Sequence, residues 1–132
     1  MGAPGVLAAR VQAAPGAVVA RIALASPDLL FGSKVHGGLT AAGHDVRRVG
    51  DPAQAGEAEL LVVDLTQGDY DGAALVESAR AAGDLGAVPV LGFYSHVEQD
   101  VRNRAERAGF DLVVPRSRMA REGAALVERL AR

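Results

Sequence analysis

Cysteine and tryptophan are absent from this 132-residue sequence, and lysine occurs only once, at Lys34. Without cysteine the chain can form no disulfide and no thiolate metal site, and it has no thiol nucleophile. Its three histidines, His36, His44 and His96, do not include a pair at metal-ligand spacing. Because no apolar run approaches the roughly 20 residues of a membrane span, we expect a cytoplasmic protein that does not enter a membrane.

The chain also lacks a large net charge of either sign. The formal net charge is −2, which argues against a nucleic-acid partner, because a domain that binds nucleic acid carries a basic face. Residues 1–20 are rich in alanine, glycine and valine and are interrupted by Pro4 and Pro15. We therefore expect a low-complexity N-terminal arm over 1–20, either mobile or helical over Val6–Ala14, and one domain over 21–132.

Short apolar runs alternate with segments of helical periodicity from Arg21 onward. The predicted strands are Arg21–Ala25, His44–Val49, Glu59–Asp64, Val88–Phe93 and Phe110–Val114. The predicted helices are Asp28–Ala42, Asp71–Ala82, Val97–Ala108 and Arg121–Leu130. This alternation predicts an α/β protein with a five-stranded parallel sheet in the flavodoxin-like order 2-1-3-4-5 and helices on both faces. The link between the second and third strands is so short that the second helix is predicted to be short or missing.

Two expectations about packing follow from this layout. In the first predicted helix, Leu30, Phe31, Val35 and Leu39 recur at helical spacing and should form one buried face. The shortened link should leave the sheet under-covered between its second and third strands. We expect the N-terminal arm or a second copy of the chain to complete that side.

The most informative stretch of the sequence surrounds Asp64. A run of leucine and valine, Leu60–Val63, ends on this carboxylate, and the pair Asp71-Gly72 then opens a helical pattern. A parallel strand that is buried on both faces places its first polar residue at the carboxyl edge of the sheet, where ligands bind in open α/β folds. The sequence therefore predicts a single carboxylate that protrudes at the functional edge of the sheet.

Three segments in order resemble the receiver domains of bacterial response regulators. They are RIALASPDLL…AAGHDV, VVDLTQGDYDG and VPVLGFYSHVEQDVRNRAERAGFDLVVPRS. The resemblance extends from Arg21 to Ala131. It implies a signalling module of a two-component system, with Asp64 at the phosphoacceptor position and Asp71-Gly72 at the Asp-Gly pair of the family.

The chain departs from the family at the magnesium site that the resemblance implies. In receiver domains two acids after the first strand hold Mg²⁺ beside the phosphoacceptor, whereas this sequence has Ser26 and Pro27 there. Asp28 follows as a weak candidate to share a metal ion with Asp64. We expect no metal and no other cofactor, with Mg²⁺ as the alternative.

Three further family positions also differ. Tyr94, followed by Ser95, stands where the family has a hydroxyl-bearing threonine or serine, and Val113 stands at the position of its switch aromatic. Arg116 replaces the family's lysine and could pair with Asp64, because guanidinium binds carboxylate or phosphate well. The candidate ligand-binding residues at this edge are Ser26, Asp28, Tyr94, Ser95, His96 and Arg116.

Two of these residues, and two nearby arginines, also have structural interpretations. Asp28, like Asp71, stands at the start of a predicted helix, where the exposed N–H groups favour an acid. Ser95 can cap the following helix in a capping box with Glu98. Arg47 and Arg48 are expected to be solvated charges of an edge strand.

The favoured interpretation is an atypical, stand-alone receiver-like signalling or scaffold module that is not an enzyme. We expect it to act through protein–protein contact without magnesium-dependent phosphorylation. The partner would be another protein or a second copy of the chain, bound at an arginine-rich face formed by Arg102, Arg104, Arg107 and Arg118. The alternatives are a receiver that is phosphorylated on Asp64 and a flavodoxin-like domain that binds a nucleotide or another small anion.

Overall fold

A computed structural model of the chain describes residues 19–95 and 99–131. Its strands are β1 (Arg21–Ala25), β2 (Asp45–Val49), β3 (Leu60–Asp64), β4 (Val90–Tyr94) and β5 (Leu112–Pro115). The helices of the described residues are α1 (Leu29–Ala41), α2 (Gly72–Ala81), α3 (Gln99–Arg107) and α4 (Arg116–Ala131). A single 3₁₀ turn, Pro52–Gln54, lies between β2 and β3. The expectations for residues 1–18, for His96 and for the capping box with Glu98 fall outside the described residues.

The five strands form one parallel sheet in the order β2-β1-β3-β4-β5. This order confirms the predicted flavodoxin-like topology. The central strand β3 is buried along its whole length, as its uninterrupted leucine and valine run predicts for a strand covered on both faces. In the described residues, no helix is long and apolar enough to cross a membrane.

Helices cover both faces of the sheet. Because side chains alternate along a strand, Leu60 and Val62 pack with α1 and α4, whereas Leu61 and Val63 pack with α2 and α3. The first cluster takes in Phe31 of α1. The two apolar layers hold the carboxyl ends of β1, β3 and β4 at a common edge.

The predicted buried face of α1 is confirmed except at Leu30, which is exposed. Phe31, Val35 and Leu39 are buried, but Leu30 is 87% exposed and Leu29 is 77% exposed. The buried residues are four apart, so they lie on one stripe of the helix, and Leu30 is rotated about 100° away from it.

The last helix begins earlier than predicted. It starts at Arg116, directly after β5, instead of at Arg121. Pro115 ends the strand and has no N–H to donate, so the chain leaves the sheet there and enters the helix without a linker.

The side of the sheet between β2 and β3 is better covered than the sequence analysis predicts. The 3₁₀ turn buries Pro52, and Ala55 directly after it is 1% exposed and packs in the same cluster as Ala23 and Ala25 of β1. Ala23 and Ala25 are 0% exposed. Because β1 presents only methyl groups at Ala23 and Ala25, one turn fills the space that larger side chains would require a helix to cover.

Candidate functional site

The Asp64 side chain lies at the carboxyl end of β3 but does not protrude from it. The residue is 0% exposed. Its Oδ2 accepts a hydrogen bond from Ser26 Oγ at 2.7 Å, and its Oδ1 accepts from Thr66 N at 2.7 Å and from Thr66 Oγ1 at 2.6 Å. The predicted protruding carboxylate is therefore wrong: Asp64 is enclosed by neutral donors that occupy both of its oxygens.

Ser26 links β1 to this carboxyl group and is itself buried. The backbone carbonyl of Ser26 accepts a hydrogen bond from Arg48 Nη2 at 2.8 Å. The approach of Arg48 requires a glycine in α1, because a Cβ at Gly32 would lie 2.5 Å from Arg48 Nη2 and 3.1 Å from Ser26 Oγ. Arg48 of β2, Ser26 directly after β1 and Asp64 of β3 thus form a chain of contacts along this edge of the sheet.

Arg48 of β2 is not the solvated charge that we expected, whereas Arg47 is exposed to solvent and also donates hydrogen bonds. Arg47 donates from Nη2 to the carbonyls of Gln54 and Ala55, at 3.1 and 2.9 Å, and holds the 3₁₀ turn. Arg48 pairs in register with Leu24, so its side chain shares the sheet face of Ser26 two residues further on. The role of Arg48 could be predicted from the sequence only if the register between β1 and β2 were known.

Asp28, the weak candidate to share a metal ion with Asp64, uses one carboxylate oxygen as a helix cap. Its Oδ1 accepts hydrogen bonds from Leu30 N and Phe31 N, both at 3.0 Å, and so caps α1. Within residues 19–95 and 99–131 no group of three or more histidine, aspartate or glutamate side chains could hold a metal ion. Mg²⁺ prefers an octahedral set of oxygens that includes carboxylates, and the single caged carboxylate of Asp64 does not fit that requirement.

Tyr94, Ser95 and Arg116 are not among the hydrogen-bond partners of Asp64, which are Ser26 and Thr66. Tyr94 is 6% exposed and belongs to the apolar cluster under α2 and α3. The Arg116 guanidinium carbon lies 4.7 Å from the centroid of the Phe31 ring instead of pairing with Asp64. Ser95 and Arg116 both line an open cavity between α1 and α4. The structure therefore divides the predicted ligand-binding edge into a closed centre at Asp64 and an open cavity beside it.

Tyr70 closes the loop that follows β3. Its hydroxyl donates to the carbonyl of Gly50 at 3.0 Å and ties this loop to the end of β2. Burial, together with the negative charges of Asp51 and Asp64, raises the pKa of Tyr70 to about 12. The hydroxyl therefore keeps its proton at neutral pH and remains a hydrogen-bond donor.

The predicted arginine-rich face is largely paired within the chain. Arg102 lies 3.4 Å from Glu106, Arg118 lies 3.5 Å from Glu122, and Arg104 lies 2.6 Å from Asp71. Burial raises the pKa of Asp71, but the hydrogen bonds from Arg104 and from Ala74 N outweigh it, so the net shift is downward. These pairs make the face mixed in charge instead of uniformly basic.

Known proteins resemble this chain in fold but not in sequence. No protein-family model matches the chain, and no curated protein is significantly similar to it in sequence. Several solved structures match over most of their own length. The fold is that of a receiver domain.

Three of these structures illustrate the match. The phosphorylated cyanobacterial phytochrome response regulator RcpA is 17% identical over 86% of this chain and 94% of its own, with a TM-score of 0.69. The receiver domain of the sensor histidine kinase PA1611 from Pseudomonas aeruginosa, solved with magnesium in its active-site cleft, is 18% identical over 86% and 98%, with a TM-score of 0.73. The Vibrio cholerae chemotaxis protein CheY4 is 14% identical over 86% and 99%, with a TM-score of 0.72.

Proposed function

We propose that this protein is a receiver-like signalling module that acts through protein–protein contact and is not phosphorylated on Asp64 in a magnesium-dependent reaction. The observation that carries the proposal is the enclosure of Asp64. Its carboxyl group is 0% exposed and accepts three hydrogen bonds from Ser26 and Thr66. An incoming phosphoryl donor would have to break these bonds before it could reach either oxygen.

The missing acids support the same proposal. Phosphoryl transfer depends on a cation that neutralises the charge developing on the phosphoryl oxygens. At the positions where receiver domains hold that cation, this chain has a serine whose hydroxyl is used by Asp64 and a proline that offers no carboxylate. We expect Asp64 to serve as an anchor between β1 and β3, and we expect no enzymatic activity.

The contact surface has an apolar component that the sequence analysis did not predict. Leu29 and Leu30 are 77% and 87% exposed at the start of α1, next to the carboxyl edge of the sheet. Neighbouring exposed leucines are suited to burial against a protein partner, whereas the paired arginines of α3 and α4 gain less from leaving water. We propose that the partner binds across these leucines.

A magnesium titration followed by thermal unfolding tests the proposal. The wild type should show no Mg²⁺-dependent rise in melting temperature, because it lacks a ligand set for the ion. The double variant Ser26→Asp/Pro27→Asp restores two acids beside Asp64, so it should be less stable without metal and should gain stability when Mg²⁺ is added.

Ca²⁺ at the same ionic strength and the variant Glu77→Gln, on the exposed outer side of α2, serve as controls for general ionic effects. A saturable Mg²⁺-dependent stabilisation of the wild type that Asp64→Asn abolishes would contradict the proposal.

A further inference from the structure

An open cavity of about 660 Å³ lies between α1 and the first turns of α4. Its lining combines one aromatic ring, hydroxyl groups and basic side chains: Phe31, Lys34, Ser95, Arg116, Ser117, Ala120 and Arg121. The volume falls within the range of roughly 300 to 1,000 Å³ that small-molecule sites occupy. Neither the caged Asp64 nor its hydrogen-bond partners line it.

Among the described residues that line this cavity, the charged side chains are all cationic: Lys34, Arg116 and Arg121. Among the described residues, neither Lys34 nor Arg116 has a carboxylate within 4 Å, and Arg121 makes one contact of 3.5 Å with Glu122. Three cations around one concavity repel one another, and an anion bound among them would relieve that repulsion.

The Arg116 guanidinium is held in place by an aromatic contact. It lies 4.7 Å from the centroid of the Phe31 ring, and that ring is itself fixed 5.2 Å from the ring of Phe93. A guanidinium that rests over an aromatic ring still has N–H donors for other groups, and their fork geometry suits the oxygens of a phosphate. The donor group is thus positioned before any ligand arrives.

We propose that this cavity binds a small phosphate-bearing molecule, with Lys34, Arg116 and Arg121 as its cationic ligands and the hydroxyl of Ser117 as a further donor. The absence of acidic residues from the first turn of α4 leaves the positive end of that helix dipole available to the same anion. This site goes beyond the proposed function and is independent of it, because it makes no use of Asp64.

Isothermal titration calorimetry of the full chain with ATP and with pyrophosphate tests the site. We expect saturable binding of both ligands that weakens as NaCl is raised, because the attraction is screened by salt. Lys34→Gln and Arg121→Gln should each weaken binding about tenfold or more, since each removes a charge-assisted contact. Arg102→Gln removes the same charge from α3, outside the cavity, and should leave the affinity within about twofold.

Adenosine separates recognition of the phosphates from recognition of the base, and it should not bind. Lys34 and Arg121 lie on the surface, so their variants should fold, and circular dichroism melting would show this. Absence of saturable binding, binding of adenosine equal to that of ATP, or equal losses in all three variants would overturn the site. None of these results would alter the Mg²⁺ titration, so failure of this site is distinguishable from failure of the proposed function.

Discussion

At the residue scale, Asp64 stands at the position where receiver domains have their phosphoacceptor, but here it is buried and hydrogen-bonded to Ser26. A buried carboxyl group is tolerated only when its oxygens are hydrogen-bonded, and here Ser26 and Thr66 meet that requirement. An acid at the end of a buried strand is readable from the sequence. Its enclosure cannot be predicted from the sequence, because Ser26 is 38 positions away and is brought to Asp64 only by the pairing of β1 with β3.

Removal of the serine hydroxyl tests this cage. We expect Ser26→Ala to lower the free energy of unfolding by about 1–3 kcal/mol, because one buried oxygen of Asp64 loses its donor. Urea denaturation measures the change, and Ser78→Ala, at an exposed position of α2, is the matched control. Equal stabilities for the two variants would show that the bond is not formed in solution.

His44 makes stability depend on pH. Its Nδ1 accepts a hydrogen bond from Ala20 N at 3.1 Å, and its buried Nε2 has no hydrogen-bond partner among the described residues. Burial lowers the pKa of His44 below its usual 6.5, against the opposing effect of Glu128, which lies 3.9 Å from Nε2. The unfolded chain therefore binds this proton more readily than the folded chain does.

We expect the stability contributed by neutral His44 to be present above pH 6.5 and to be lost as the pH falls through the lowered pKa of the folded state. Urea denaturation between about pH 7.5 and pH 5 measures the slope. His44→Gln should flatten it, whereas His36→Gln, at a partly exposed position of α1, should not. Identical slopes for the wild type and His44→Gln would refute this account.

At the scale of elements, two glycines differ in the space that their surroundings leave for a side chain. Gly37 lies within α1 with open space around it, whereas a Cβ at Gly92 of β4 would lie 2.8 Å from Leu65 Cδ1 and from two atoms of the Phe110 ring. We expect Gly37→Ala to raise the free energy of unfolding by about 0.5–1 kcal/mol through helix propensity. Gly92→Ala should lower it by about 1–3 kcal/mol through overpacking. Thermal unfolding of the two variants measures both changes, and a shift of the same sign in both would contradict the packing described for β4.

The 3₁₀ turn at Pro52–Gln54 illustrates what could not be predicted for an element. The short link between β2 and β3 correctly indicated a missing helix, but the expected gap in the sheet was wrong. Whether a turn can cover a sheet face depends on the volume that its neighbours leave, here set by Ala23 and Ala25. Volume complementarity between residues about 30 positions apart is not a periodic signal.

For the molecule as a whole, strand order follows from the alternation of apolar runs and helical segments, because parallel strands need right-handed crossovers and short links. The capping roles of Asp28 and Asp71 are equally local, and both are observed. The position of Arg116 over Phe31 and the reach of Arg48 to Ser26 depend on side-chain packing between elements. That difference explains why the fold was predictable and the character of the site was not.

Exposure to acetyl phosphate and Mg²⁺, followed by intact-mass spectrometry, tests the central claim most directly. We expect neither the wild type nor Asp64→Asn to gain the mass of a phosphoryl group, because the carboxyl group of Asp64 is enclosed and has no neighbouring acids to hold the metal. A phosphoryl adduct on the wild type that is absent from Asp64→Asn would contradict the claim.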